Sequence, residues 1–200
     1  MLILDADESL SPRFEKEIRA FLNGSHSDSY GAANVRLSYH FGGKELKHGH
    51  TVNKVVLVNR TKVFFPEFDD LNVKNMWEVE GHYQPSIKGR TFKFKATLTH
   101  SDPGSLYEYF SRHNRYSDWE AHLTLNKHLQ DDVQKSRSWQ GRIFSRAPIK
   151  PLLFFAYSYV FRQGWRDGRA GFDYAVALSF YYWQISAKRR ELLRSTKDHE

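Results

Sequence analysis

Close to its start the chain sets two aspartates two positions apart with a glutamate beside them, Asp5-Ala6-Asp7-Glu8, directly after the apolar run Leu2-Ile3-Leu4. Carboxylate oxygens crowded in this way suit a hard divalent cation such as Mg²⁺ or Mn²⁺, and such a cation suits a diphosphate. A second group of chemistry-bearing residues lies between Asn75 and Pro85: Trp77, Glu78, Glu80, His82 and Tyr83. A carboxylate there can act as a general base, and the rings can stack on a ligand. His100 closes a later alternating run and offers one more ligand to a metal or a diphosphate. His48 and His50 have a metal-compatible spacing, but Lys44 and Lys47 beside them oppose a cation, so that loop reads as facing an anion.

Each feature has a plainer reading. Asp and Ser favour turns for backbone reasons alone. Glu78 and Glu80 alternate around Val79 as the exposed face of a strand would, and Asp69 and Asp70 are weaker rivals for the base. A lone histidine is usually just hydrogen-bonded in place, and most aromatic residues belong to cores.

The elements that must position these groups follow from periodicity. Leu2 to Leu4 predict a short buried strand, which puts the acidic turn at its carboxyl end, where open α/β sheets hold ligands. Ser11-Pro12 opens a helix with Phe14, Ile18, Phe21 and Leu22 on one face, and Asn23-Gly24 ends it. After a loop over Ser25–Ala33, the alternation of Val35, Leu37 and Tyr39 predicts a half-buried strand. Gly42-Gly43 makes a turn, Val52–Val58 a further strand, and Thr61–Phe65 another after a turn at Asn59-Arg60. Pro66–Gly89 is a long loop, of the length that carries function. Phe92, Phe94, Ala96 and Leu98 give a strand ending at Thr99-His100, and Ser101-Asp102-Pro103 caps a helix with Leu106, Tyr109, Phe110, Tyr116 and Trp119.

Residues 130–145 are polar and basic, as in a linker. Two uncharged runs follow, Leu152–Phe161 and Tyr174–Ala187. Both fall short of the ~20 apolar residues a membrane span needs. Their aromatic content and basic flanks fit helices lying in a membrane interface, or helices packed on a core.

Composition sets the outer limits. Two hundred residues with 40% hydrophobic and 16% aromatic content suit one domain, or one with an appendage, and exclude a disordered tail. The absence of cysteine excludes disulfides and thiolate chemistry. Residues 137–200 hold 12 Lys and Arg against 5 Asp and Glu, which accounts for the whole net charge of +7, so an anionic surface meets the C-terminal third. The chain has no phosphate-binding G-x-x-x-x-G-K-[ST] loop, no G-x-G-x-x-G and no G-x-S-x-G elbow.

Leu4-Asp5-Ala6-Asp7-Glu8, with Leu10-Ser11-Pro12 and the amphipathic helix behind it, resembles the second half of family-2 glycosyltransferases, in the bacterial lipopolysaccharide-core and surface-polysaccharide branch. The stretch from Asn75 to Pro85 resembles that group's acceptor-side loop. The stretches Phe110–Ser117 and Gly164–Gly171 resemble its C-terminal helical appendage. These four matches fall in order and span nearly the whole chain.

The resemblance implies an α/β fold, a partial GT-A mixed sheet with a helical, membrane-associating C-terminal extension. Residues 1–100 would be the metal and acceptor side of the GT-A domain, and residues 101–200 the extension. It implies inverting transfer from a nucleotide-sugar donor to a glycan or a lipid-linked acceptor, at the cytoplasmic face of a bacterial inner membrane. Asp5 and Asp7 would hold Mg²⁺ or Mn²⁺ with His100 as a further ligand. Glu78 would be the base with Glu80 in reserve, and Trp77, His82 and Tyr83 would line the binding site. Many relatives carry a His-Glu pair where Trp77-Glu78 stands, which leaves the register of the base open.

In that family a nucleotide-binding half of roughly 90 residues precedes the aspartates, and these residues have no counterpart of it. The expectation is a chain inactive alone, with the other half supplied by a partner chain or by a longer protein. Two rival expectations stand beside this one. The first is a non-catalytic membrane-surface or scaffold protein. The second is nucleic-acid binding through the basic, aromatic C-terminal third, which the uninterrupted apolar runs disfavour.

Overall fold

The computed structural model describes residues 1–25, 27–65, 85–100, 105–126 and 149–197. Within them the chain is an α/β protein with a mixed sheet, one helix packed on the sheet and a group of helices after it. None of the described helices is long and apolar enough to cross a membrane.

The sheet contains β1 (Glu8–Ser9), β2 (Tyr30–Phe41), β3 (Lys44–Leu46), β4 (Asn53–Val58) and β7 (Arg90–His100). A separate two-stranded ribbon joins β5 (Val63–Phe64) to β6 (Ser86–Ile87). The strands of the larger sheet run β1-β7-β2-β3, with β4 also paired to β2, and only the β2–β7 pair is parallel. Gly42 and Gly43, both at positive φ, make the two-residue hairpin turn between β2 and β3.

Strand β2 begins at Tyr30, inside the stretch expected to be a loop. Gly31, Ala32 and Ala33 lack the large alternating side chains that announce a strand, yet all three are buried. Gly31 has to be small. A Cβ there would stand 2.3 Å from the Lys88 carbonyl oxygen.

Helix α1 (Pro12–Asn23) forms as expected. Ser11 Oγ accepts the Phe14 N–H at 3.2 Å and proline occupies the first turn. Phe14 and Ile18 face the sheet, and Phe14 meets Phe94 edge-on at 5.1 Å. Between Lys93 and Thr97, β7 bulges away from β2. The Lys95 and Ala96 N–H groups donate instead to Glu17 Oε2 on α1, at 2.9 and 3.1 Å.

The N-terminal strand differs from expectation. Leu2 makes a single antiparallel bridge to Leu57, and Leu2 and Leu4 are 40% and 38% exposed. Among the described residues only β4 pairs with this segment, and Ile3 alone of the three apolar residues packs against a core cluster.

Helix α2 (Leu106–Leu123) starts later than its expected cap. Ser105 and Glu108 form a reciprocal capping box, Ser105 N–H donating to Glu108 Oε2 and Glu108 N–H to Ser105 Oγ. Helix α3 (Lys150–Phe155) widens into a π-helical turn over Ala156–Phe161, followed by a 3₁₀ turn over Gly164–Asp167 and the long α4 (Arg169–Lys197). Both α2 and α3 pack on α4. A second core of Phe41, Leu46, Tyr109, Tyr174 and Ala177 ties α2 and α4 to the β2–β3 hairpin.

Candidate functional site

The acidic turn lies between the Leu2–Leu57 bridge and α1, against the end of β7. Glu8 N–H donates to the Asp5 carbonyl at 3.1 Å and Asp5 N–H donates to Glu8 Oε2 at 2.9 Å, so the turn closes on itself. Lys54 reaches it from β4. Its ammonium stands 2.7 Å from Asp5 Oδ2 and 2.6 Å from Glu8 Oε2. Burial alone would lower the Lys54 pKa, but hydrogen bonds to Asp5 and Glu8 outweigh it and leave the pKa raised.

Asp7 turns the other way. Its Oδ1 lies 3.6 Å from His100 Nδ1, too far for a hydrogen bond. The His100 ring stacks on Tyr39, with centroids 5.2 Å apart. Two buried atoms here have no hydrogen-bond partner among the described residues: Glu8 Oε1 and His100 Nδ1.

The three carboxylates are the oxygen donors a hard cation takes, and the unpartnered Glu8 Oε1 is an oxygen ligand in waiting. The arrangement, however, is an ion pair. The Lys54 ammonium occupies the space between Asp5 and Glu8, and among the described residues no three His, Cys, Asp or Glu side chains gather on one point. A divalent cation at this turn requires Lys54 to swing out.

The His48-Gly49-His50 loop does face an anion, and the anion is the chain's own Asp167. Asp167 Oδ2 accepts the N–H groups of Lys47 and His48 at 3.0 and 2.8 Å, and Oδ1 lies 2.9 Å from His48 Nδ1. Lys44 donates to the Asp167 carbonyl at 2.8 Å. Burial pushes the Asp167 carboxyl up, but the hydrogen bonds from His48 and Lys47 prevail and hold its pKa below the usual value.

The backbones meet as well. Gly49 N–H donates to the Arg162 carbonyl at 2.8 Å, and His50 N–H donates to Ser158 Oγ at 3.2 Å. A Cβ on Gly171 would sit 2.0 Å from the Gly164 carbonyl oxygen, so this packing admits glycine only. His50 packs edge-on against Phe154 at 5.2 Å, and burial, then Arg162, push its imidazole pKa down.

Sequence reasoning singled out Asp5, Asp7 and His100, and the structure brings them to one corner of the sheet with different partners. It missed Lys54 and Asp167 as partners. The only signal for Asp167 was its setting, Gly164-Trp165-Arg166-Asp167-Gly168, where an acid amid glycines and arginines stands out. Glu78, Glu80, Trp77, His82 and Tyr83 lie outside the described residues, as does the expected linker.

In the C-terminal helical part, Leu152, Phe161 and Trp165 are 69%, 78% and 55% exposed. Arg162, Arg166 and Arg169 are interspersed with them along the chain.

Fold and site together define an α/β protein with an acidic, lysine-filled turn at a sheet corner and a basic aromatic helical part. No protein-family model, characterised protein or solved structure matches the chain.

Proposed function

We propose that this chain forms the metal and acceptor side of an inverting glycosyltransferase of bacterial surface-polysaccharide or lipopolysaccharide synthesis. It uses a nucleotide-sugar donor, and its partial GT-A sheet carries a helical extension that lies on the cytoplasmic face of the inner membrane. The observation that carries this reading is the acidic turn: Asp5, Asp7 and Glu8 on one tight turn beside His100, with a buried carboxylate oxygen left over. Asp5 and Asp7 would hold Mg²⁺ or Mn²⁺, whose charge would neutralise the leaving diphosphate. The chain's own contribution is to fix those carboxylates by the Asp5–Glu8 turn and to hold His100 in place against Tyr39. Glu78, with Glu80 in reserve, would take the acceptor's proton, and Trp77, His82 and Tyr83 would seat the sugars.

The test is a Mn²⁺ titration followed by electron paramagnetic resonance, with a nucleoside diphosphate present. Bound Mn²⁺ should weaken about tenfold or more in Asp5→Asn and in Asp7→Asn, and tighten in Lys54→Gln, which removes the competing cation. No bound Mn²⁺, or the same affinity in all three variants, sinks the reading.

The exposed apolar side chains Leu152, Phe161 and Trp165 support a second reading, a non-catalytic membrane-surface or scaffold protein. Loss of sugar transfer in Glu78→Gln or Glu80→Gln with vesicle binding intact, assayed with the nucleotide-binding half supplied by a longer protein or a partner chain, would decide against it.

A further inference from the structure

Between the start of α2, the β2–β3 hairpin and the middle of α4 lies an open cavity of about 820 Å³, within the size range of small-molecule sites. Phe41 and Ala177 are buried and form its floor. Leu106, Phe110, Val176 and Phe180 form its walls and are 49%, 41%, 42% and 44% exposed. The apolar surface continues along α4 to Trp183, which stacks on Phe180 with centroids 5.4 Å apart.

Helix α4 is thus apolar on two sides. Tyr174 and Ala177 pack into the second core, while Val176, Phe180 and Trp183 have no such cover among the described residues. The charged groups of the lining are Lys44, Arg169 and Asp173, a net charge of +1. Lys44 spends one of its three donors on the Asp167 carbonyl, and Arg169 donates from Nε to Asp173 at 3.0 Å, so both retain donors for an anion.

An apolar trough with two cations at its rim is complementary to one kind of molecule, a hydrocarbon chain that ends in an anion. We propose that this groove seats the apolar chain of an anionic lipid, with its phosphate at Lys44 and Arg169. Its position extends the glycosyltransferase reading, on which this assignment of the lipid as acceptor rests. Phe41, on the groove floor, is two residues along β2 from Tyr39, about 7 Å away, and Tyr39 stacks on His100 of the acidic turn. A lipid-linked acceptor held here would lie beside that turn.

The experiment is calorimetric titration of the full chain with monomeric hexyl, octyl and decyl phosphate, each below its micelle concentration. Saturable one-to-one binding should tighten roughly three- to fourfold per added methylene. Octanol should bind about tenfold more weakly than octyl phosphate, and inorganic phosphate should not bind. The pair Lys44→Gln and Arg169→Gln should erase the preference for phosphate over alcohol and leave the chain-length dependence intact. Val176→Gln with Phe180→Gln, both at exposed positions and checked for an unchanged melting temperature, should cost about tenfold or more in octyl phosphate affinity.

Equal binding of octanol and octyl phosphate overturns the proposal, as does unchanged affinity in the Val176 and Phe180 variant. Binding to anionic vesicles but never to monomeric alkyl phosphate also overturns it, because the face would then be a bilayer contact and no seat for a single lipid. Neither metal nor turnover enters these readouts. A chain that binds octyl phosphate but no Mn²⁺ therefore sinks the transferase reading alone.

Discussion

Two carboxylates in this molecule each stand beside a histidine, and they are held in opposite ways. Asp167 is almost fully buried and receives two backbone N–H groups and the His48 ring within 3.0 Å. Asp7 is 37% exposed, and its histidine lies 3.6 Å away with Nδ1 unpartnered. A buried carboxylate already held by three such contacts has little left for a ligand, and its role is to join parts of the fold. A carboxylate whose neighbours keep free acceptors and donors is placed for an incoming group. The contrast makes Asp167 a joint of the fold, and on the proposed reading it leaves Asp7 as the carboxylate open to a ligand.

The largest effect that would break this comparison is at the joint. Asp167→Ala strands the Lys47 and His48 N–H groups and should cost about 2–4 kcal/mol in urea unfolding. Gly171→Ala, whose new Cβ collides with the Gly164 carbonyl, should be at least as damaging. Asp7→Asn should change stability by less than about 0.5 kcal/mol. If Asp7→Asn unfolds the chain and Asp167→Ala does not, the assignment is inverted.

Acid sharpens the difference. His50 has a lowered pKa in the folded chain, so the unfolded chain takes up its proton first. Stability is therefore lost as pH falls below about 6.5 and on through the folded value. Asp167, also lowered, contributes stability present above its unfolded value near 3.8 and lost as pH falls through the folded one. Melting temperature against pH should therefore fall in two stages, and His50→Leu should remove the first. A single stage in both proteins would mean that the joint is not the acid-sensitive part.

At the turn the sensitive limb is alkaline. Lys54 has a raised pKa, so its contribution is complete below its unfolded value near 10.5 and is lost as pH rises through the folded one. Lys54→Gln leaves Glu8, whose side chain is 1% exposed, without its cation, and should cost about 1–2 kcal/mol at neutral pH by thermal unfolding. The smallest effect belongs to Arg169→Gln. It breaks an exposed pair with Asp173 one helical turn away and should cost about 0.3 kcal/mol by the same measurement.

Local chemistry was legible in the residues themselves. Ser11-Pro12 with Phe14 and Ile18 specified α1 because a cap and an apolar stripe are encoded within four residues of each other. The alternation of Phe94, Ala96 and Leu98 specified β7 because strand faces repeat every two residues. The start of β2 was not legible, since Gly31, Ala32 and Ala33 are small to fit crowded neighbours and small residues carry no alternation signal. Nor was the cap of α2, where the reciprocal Ser105 and Glu108 box prevailed over the more conspicuous Ser101-Asp102-Pro103.

The sequence by itself determined that carboxylates cluster after the first apolar run, that the positive charge gathers at the C-terminal end, and where most of the helices and strands run. Only the tertiary structure decided what those charges face. Lys54 meets Glu8 across 46 positions, and Asp167 meets His48 across 119. Capping and alternation are set by bonds and torsions within a few residues. The partner of a charged group is set by which distant backbone packs beside it, and no local pattern records that.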